Sequence, residues 1–297
     1  MFENIIGNTS NKKILEKAIE TGKISHSYIF SGPEGIGKSL FAKEFAKAIL
    51  CENTQNKPCN NCKSCIEFDN YNNPDIVIID EKEESIKTEL IKNLTNDVLK
   101  KPLNGNRKIY IIDNSENMTR EAQNTLLKTL EEPPEYIVII LITKNHNLLL
   151  NTIKSRCIKI QFAELTDEEL IEYFNGDITN ETIKIAEGSI TRALNVKNKE
   201  EMYKEIESKI ANIGNINELE LLKLKNSIFS NKDDTEEILN YINVIFLNMA
   251  LNETKNAITY SNCIQIIENT KNRLKRNGNY DMTIDNCLLS LWEEING

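Results

Sequence analysis

Residues 32 to 39 read Gly32-Pro33-Glu34-Gly35-Ile36-Gly37-Lys38-Ser39, the spacing of a loop that wraps phosphates. Glycines let backbone N–H groups turn toward phosphate oxygens. Lys38 has the length to reach β- and γ-phosphates, and Ser39 offers a hydroxyl to Mg²⁺. A strand-like run, Tyr28 to Ser31, precedes the loop, and a helix-like stretch, Leu40 to Leu50, follows. The same residues also admit a plainer reading, a Gly-rich turn that binds nothing. Asp113 ends the apolar run Lys108-Ile109-Tyr110-Ile111-Ile112-Asp113, where a carboxylate can hold Mg²⁺ through water or simply cap a strand end. ATPases of this kind often place a Glu next, to polarise the attacking water. Here the residue is Asn114, whose amide can hydrogen-bond a water but cannot accept its proton. Glu116 lies two positions further on and need not point the same way.

Four cysteines cluster as Cys51-x7-Cys59-x2-Cys62-x2-Cys65. Four thiolates complete a tetrahedral Zn²⁺ site, and the two short steps let one loop deliver three of them. Free surface thiols are the alternative. Cys157, Cys263 and Cys287 stand among apolar residues and read as small core residues. Arg156, in Ser155-Arg156-Cys157, precedes a strand. An Arg at a domain edge can act on a neighbour's phosphate as an arginine finger, or can be a surface ion pair.

These residues need a scaffold. Five β-rich runs, Tyr28–Ser31, Ile76–Asp80, Ile109–Asp113, Tyr136–Thr143 and Cys157–Phe162, alternate with helical stretches at Leu40–Leu50, Ile86–Leu99 and Thr119–Leu130. Continuous rather than alternating apolarity predicts a parallel sheet covered on both faces, a doubly wound α/β domain. Thr119 reads as an N-cap, Ala122, Leu126, Leu127 and Leu130 as an apolar stripe, and Pro133-Pro134 as the stop. Thr166 with Glu169 is a capping-box signature that opens a region of short helices. Beyond about residue 200, helical spacing dominates at 218–227, 235–251 and 284–292. The division expected is 1–163 for the sheet domain with a zinc module at about 51–65, 164–198 for a small helical lid, and 199–297 for an all-helical domain.

The chain of 297 residues carries net charge −9, with 40% apolar and 27% charged residues. That balance argues against a stand-alone DNA binder, which needs clustered Lys and Arg. The N-terminus lacks the basic stretch and apolar core of a signal peptide, and the run Ile137–Ile142 is too short to span a bilayer. The expectation is a cytoplasmic protein without membrane contact.

Taken together, the motifs resemble the bacterial clamp-loader subunits, AAA+ proteins related to replication factor C. The carrying stretches are FENIIGN, HSYIFSGPEGIGKS, the cysteine insertion, NTLLKTLEEPP, TIKSRC and EGSITRALN. The likeness covers about residues 1–195. It implies a P-loop AAA+ domain with its lid and a C-terminal collar, FENIIGN against adenine, and nucleotide contacts from Gly32, Gly35, Gly37, Lys38, Ser39 and Asp113. Thr143 falls near the first sensor position, with Asn145 an alternative, and Arg192 at the second sensor or on a helix surface. Arg156 becomes a trans-acting finger on an adjacent subunit's ATP. Zn²⁺ at Cys51, Cys59, Cys62 and Cys65, and ATP with Mg²⁺, are the implied cofactors. The implied partners are tau/gamma and delta subunits in a ring of five, the sliding clamp, and primer-template DNA reached through the complex. Within the family, Asn114 and the chain length favour the delta-prime branch, with little or no hydrolysis by this chain alone. The alternatives are a short tau/gamma-type ATPase motor and, from another class, a zinc-dependent nucleic-acid-binding module.

Overall fold

Each of the five apolar runs forms a strand: β1 (Ser27–Ser31), β2 (Ile76–Asp80), β3 (Lys108–Asp113), β4 (Ile137–Thr143) and β5 (Ile158–Gln161). They pair in parallel in the order β2-β3-β4-β1-β5. The computed structural model describes residues 1–81, 85–229, 231–276 and 278–297. Its backbone divides into two units, Met1–Gly176 with Gly188–Thr191, and Asp177–Glu187 with Arg192–Gly297.

In the first unit the helices are α1 (Thr9–Thr21), α2 (Lys38–Leu50), α3 (Lys63–Asp69), α4 (Thr88–Asp97), α5 (Arg120–Glu131), α6 (Asn151–Lys154) and α7 (Asp167–Tyr173). Successive strand side chains point to opposite faces, so a strand with no polar alternates must be covered twice. Phe30, Ile109, Ile111, Val138 and Ile140 join one buried cluster with Leu15 of α1 and Phe41 and Phe45 of α2. Their neighbours Ile29, Tyr110, Ile112, Ile139 and Leu141 join another with Ile91 and Leu94 of α4 and Leu126 and Leu130 of α5. Each such side chain contributes about 1.5–3 kcal/mol when fully buried. β2 and β5 are the edges and are partly exposed.

Local signals hold at the helix starts. Thr119 Oγ1 accepts the Ala122 N–H at 3.1 Å. Thr166 and Glu169 form the reciprocal capping box that opens α7. The stretch expected to be helical over Ile86–Leu99 is shorter, Thr88–Asp97. The backbone of Ile86 is taken instead by the loop after β3, donating to Asn117 O at 2.9 Å and accepting from Thr119 N at 3.1 Å.

The remaining helices are α8 (Asn180–Ala186), α9 (Ile190–Asn198), α10 (Glu200–Ala211), α11 (Glu218–Ile228), α12 (Thr235–Asn252), α13 (Ala257–Lys275) and α14 (Tyr280–Asn296). The second unit has its own apolar core, with Ile206, Ile210, Ile238, Ile242, Phe246, Ile267, Ile284, Leu288 and Leu291 buried together. Cys263 and Cys287 lie in that core, as expected, while Cys157 in the first unit is only half-buried. Among the described residues no helix is long and apolar enough to cross a membrane.

Candidate nucleotide site and cysteine cluster

The phosphate loop joins β1 to α2, and the sheet places the carboxyl ends of β3 and β4 beside it. Gly32 N–H donates to Thr143 O at 3.2 Å, which stitches the loop to the end of β4. Two glycines are required by geometry. A Cβ on Gly32 would stand 2.5 Å from Phe162 O, and one on Gly35, where φ is +77°, would run into Ser189 Oγ. Gly37 has φ 90° and caps α2, so Lys38 opens the helix.

Lys38 is buried, and its ammonium donates to Gly32 O at 2.8 Å and Pro33 O at 2.5 Å. Burial pushes its pKa down, and the nearby carboxylates of Asp113, Glu116 and Glu34 oppose that. Burial pushes the Asp113 carboxyl up, while the Asn114 N–H, the Ser39 hydroxyl and Lys38 favour its ionised form. Ser39 and Asp113 are therefore brought together, a hydroxyl and a carboxylate of the hard-oxygen type that Mg²⁺ takes. They would hold the ion, whose charge would neutralise phosphate oxygens.

Asn114 does not face this pair freely. Its side-chain amide donates to Asp80 Oδ1 at 3.0 Å. Asp80 ends β2, opposite Asp113 in the strand register. Glu116 lies on a short 3₁₀ turn, Ser115–Asn117, and its Oε1 accepts the Lys144 N–H at the end of β4 at 3.4 Å. Lys144 Nζ in turn lies 3.6 Å from Glu34 of the loop. Thr143 is buried, and its Oγ1 accepts the Asn145 N–H, while Asn145 Oδ1 caps the turn at His146–Leu148. Asp80, Glu116 and Lys144 are members of this constellation that were not selected from sequence. Asp80 had a readable signal, since Ile78-Ile79-Asp80 repeats the Ile111-Ile112-Asp113 ending of β3.

Phe2 is buried, with its ring 5.1 Å from that of Phe41. The N-terminal residues Met1–Ile5 line a cavity of about 220 Å³ with Leu40 and Glu44 of α2. Arg156 is tied within its own unit: Nη2 lies 2.8 Å from Glu131 Oε1, and Nη1 donates to Thr152 O at 2.8 Å. Its side chain keeps 33% of its exposure. Arg192 belongs to the second unit, where it pairs with Glu187 at 2.7 Å.

The four cysteines converge. Their sulfurs lie within 4.8 Å of one another, Cys51 and Cys65 buried and the other two half-buried. Backbone N–H groups of Cys59, Cys62 and Cys65 donate to the sulfurs of Cys51, Cys59 and Cys62, each at 3.4 Å. Donation from Asn61 and Cys62 holds the Cys59 thiol down to about 6, whereas burial pushes Cys51 and Cys65 up. A compact all-sulfur set wrapped by amides fits Zn²⁺, which would serve as a tetrahedral cross-link. The cluster is anchored to the sheet unit: Lys47 of α2 pairs with Asp69 at 2.7 Å, and Asn104 Nδ2 donates to Glu67 at 2.6 Å.

A family profile described as "DNA polymerase III, delta subunit" matches residues 7–166, more than half of the chain. The chain is 37% identical over 190 residues to DNA polymerase III subunit tau of Bacillus subtilis, a match covering 64% of this chain and 34% of that protein. It is 37% identical over 164 residues to subunit delta-prime of the same organism, covering 54% of this chain and 50% of that protein. The chain thus spans about a third to a half of the length of these relatives. A DNA polymerase III gamma subunit-related protein of Thermotoga maritima superposes with TM-score 0.56 at 19% identity, over 95% of this chain and 99% of that one, a likeness of fold.

Proposed function

The chain belongs to the DNA polymerase III delta-subunit family of clamp-loader AAA+ proteins, and from that premise we propose that it is the delta-prime subunit of a bacterial clamp loader. In this reading it joins tau/gamma and delta subunits in a cytoplasmic ring that places the sliding clamp on primer-template DNA. Residues 199–297 form the collar that joins the ring, and 164–198 the lid. Its own loop holds ATP and Mg²⁺ through Gly32, Gly35, Gly37, Lys38, Ser39 and Asp113, with Thr143 and Arg192 as sensors, and Zn²⁺ stabilises the cysteine module. Arg156 reaches the ATP of a neighbouring motor subunit.

The observation that carries the assignment is Asn114. The residue after the strand-end carboxylate is an amide, and its side chain donates to Asp80. That arrangement suits a subunit whose main catalytic contribution is made to a neighbour. The test is Arg156→Ala in the reconstituted complex. The variant should fold and assemble, and hydrolysis at the adjoining site should fall at least about tenfold, since such fingers are worth far more than that in related phosphoryl transfer. Unchanged complex ATPase would sink the finger assignment.

A second reading is a short tau/gamma-type motor. The longer alignment with tau, 190 residues against 164 with delta-prime, favours it. Multiple-turnover hydrolysis by the purified chain at the rate of a tau subunit would decide for it.

A further inference from the structure

A second lysine stands at the mouth of the phosphate loop. Lys144 follows Thr143, the last residue of β4. Ser31 and Thr143 are partners in the strand register, and Gly32 N–H donates to Thr143 O at 3.2 Å. Gly32 and Lys144 therefore leave the sheet side by side, one into the loop and the other along its flank. Glu116 Oε1 accepts the Lys144 N–H at 3.4 Å, which fixes the point where the side chain departs.

The Lys144 side chain keeps 56% of its exposure, and its ion-pair partner among the described residues is Glu34 of the loop, itself 75% exposed. At 3.6 Å the pair is too long for a hydrogen bond. Exposed pairs of this kind contribute little and give way easily to a better partner. The same ammonium lies in the field of Lys38: burial pushes the Lys38 pKa down, and Lys144 adds to that. Asp113, Glu116 and Glu34 counter it at Lys38, but of the three only Glu34 lies within ion-pair distance of Lys144 Nζ. A triphosphate on the loop changes the balance. The loop's N–H groups suit the α- and β-phosphates, and Lys38 suits the β and γ. A cation arriving from the neighbouring strand meets what remains, the terminal phosphate. That group carries more charge than a carboxylate and more acceptor oxygens, so the ammonium gains by leaving Glu34.

We infer that Lys144 is a second cationic ligand for the terminal phosphate of a nucleoside triphosphate held at Gly32–Ser39, and that Glu34 occupies it until the triphosphate arrives. The inference rests on the nucleotide-binding part of the proposed function and asks for no hydrolysis. It agrees with Asn114: a site with an amide after the strand-end carboxylate and an added cation beside the loop is suited to hold a triphosphate rather than split it. The exchange also sets a preference between nucleotides. A diphosphate lacks the group that draws Lys144 away from Glu34, so it leaves the pair in place.

The experiment uses the full chain and measures equilibrium binding of fluorescent ATP and ADP analogues with Mg²⁺, beside the urea midpoint. Lys144→Met removes the charge and keeps the stem. It should weaken the triphosphate at least about tenfold, the scale of one charge-assisted hydrogen bond, and the diphosphate by less than about twofold. Its urea midpoint should stay at the wild-type value, because the pair it breaks is exposed. Lys144→Arg should bind the triphosphate within about threefold of wild type. Glu34→Gln releases Lys144 and should tighten the triphosphate about two- to fivefold, the worth of an exposed pair. In the double variant that gain should vanish, because Glu34 acts through Lys144. Triphosphate binding at wild-type strength in Lys144→Met overturns the role of Lys144 and leaves nucleotide binding standing. Equal loss of triphosphate and diphosphate also overturns it, by making Lys144 a residue that shapes the loop. A gain from Glu34→Gln that persists without Lys144 overturns the exchange. A wild-type chain that binds neither nucleotide overturns this inference and the nucleotide-binding reading together.

Discussion

The phosphate loop and the cysteine cluster share one helix, α2, which starts at Lys38 and stops just before Cys51. They are nevertheless built in opposite ways. The cluster takes all its ligands from 51–65, and its amides donate to its own sulfurs. The candidate nucleotide site gathers Lys38 from the segment after β1, Asp113 and Thr143 from the ends of β3 and β4, and Glu116 from the turn after β3, and Gly35 packs on Ser189 from much further along. A site closed over a short stretch has little apolar core of its own, and with zinc bound its stability would depend on that metal. A site gathered from strand ends depends on sheet register, which the buried clusters on both faces secure. The difference teaches that one should fail locally and the other only when the sheet fails.

The largest effect should follow from Cys62→Ser. That sulfur is one of four in the cluster and also accepts the Cys65 N–H at the start of α3. Structural zinc contributes on the order of 10 kcal/mol to small modules, and even partners outside the ligand set change affinity about 10- to 100-fold. Loss of a ligand should cost more than about 100-fold in zinc affinity. Zinc content after dialysis measures it, and hydrogen exchange locates the damage. Protection should vanish in α3 while β3 and β4 keep theirs. If the strands lose protection too, the two regions are one cooperative unit and the contrast is broken.

Lys38→Met should act the other way, damaging function and sparing the fold. A buried ammonium held by two carbonyls is replaced by an apolar chain of similar length. Triphosphate affinity should fall about 100-fold, the scale of charge-assisted hydrogen bonds lost, with urea stability equal to or above wild type. The pH dependence has a defined sign. Burial holds the folded pKa of Lys38 below its ordinary 10.5, so between those two values the unfolded chain binds the extra proton. Wild-type stability relative to Lys38→Met should therefore rise with pH across that alkaline window and stay level below it. A difference that falls with rising pH there would mean that the pairing with Asp113 and Glu116 outweighs burial.

What could be read in the sequence follows the same division. The glycines, Lys38, Ser39 and the cysteines announce themselves because their chemistry fixes their spacing. The strands could be read because β1, β3 and β4 are buried on both faces and apolar through their middles. Glu116 could not be placed, because its direction depends on the 3₁₀ turn at Ser115–Asn117 and on where β4 ends. Nor could the Asp80–Asn114 bond, which needs the parallel register of β2 against β3. The true start of α4 was hidden for a related reason. Ile86 has a helical pattern, yet its backbone is claimed by Asn117 and Thr119, distant in sequence.

The smallest effect on stability, and the sharpest separation of fold from function, should come from Glu131→Gln. Glu131 closes α5 and holds Arg156 Nη2 at 2.8 Å on a half-exposed surface. Exposed pairs of this kind contribute about 0.2–1 kcal/mol, so denaturant midpoints should barely move. If Arg156 acts on a neighbour's phosphate, the direction of its planar fork matters more than the strength of the pair. Gln keeps an acceptor but not the charge, so hydrolysis by the reconstituted complex should fall less than in Arg156→Ala, while assembly is unchanged. Equal complex ATPase in Glu131→Gln and wild type would show that an uncharged acceptor at position 131, with Thr152 O and Ser155 Oγ, suffices to aim the guanidinium. A drop as deep as that of Arg156→Ala would show that the carboxylate at the end of α5 sets the finger's position.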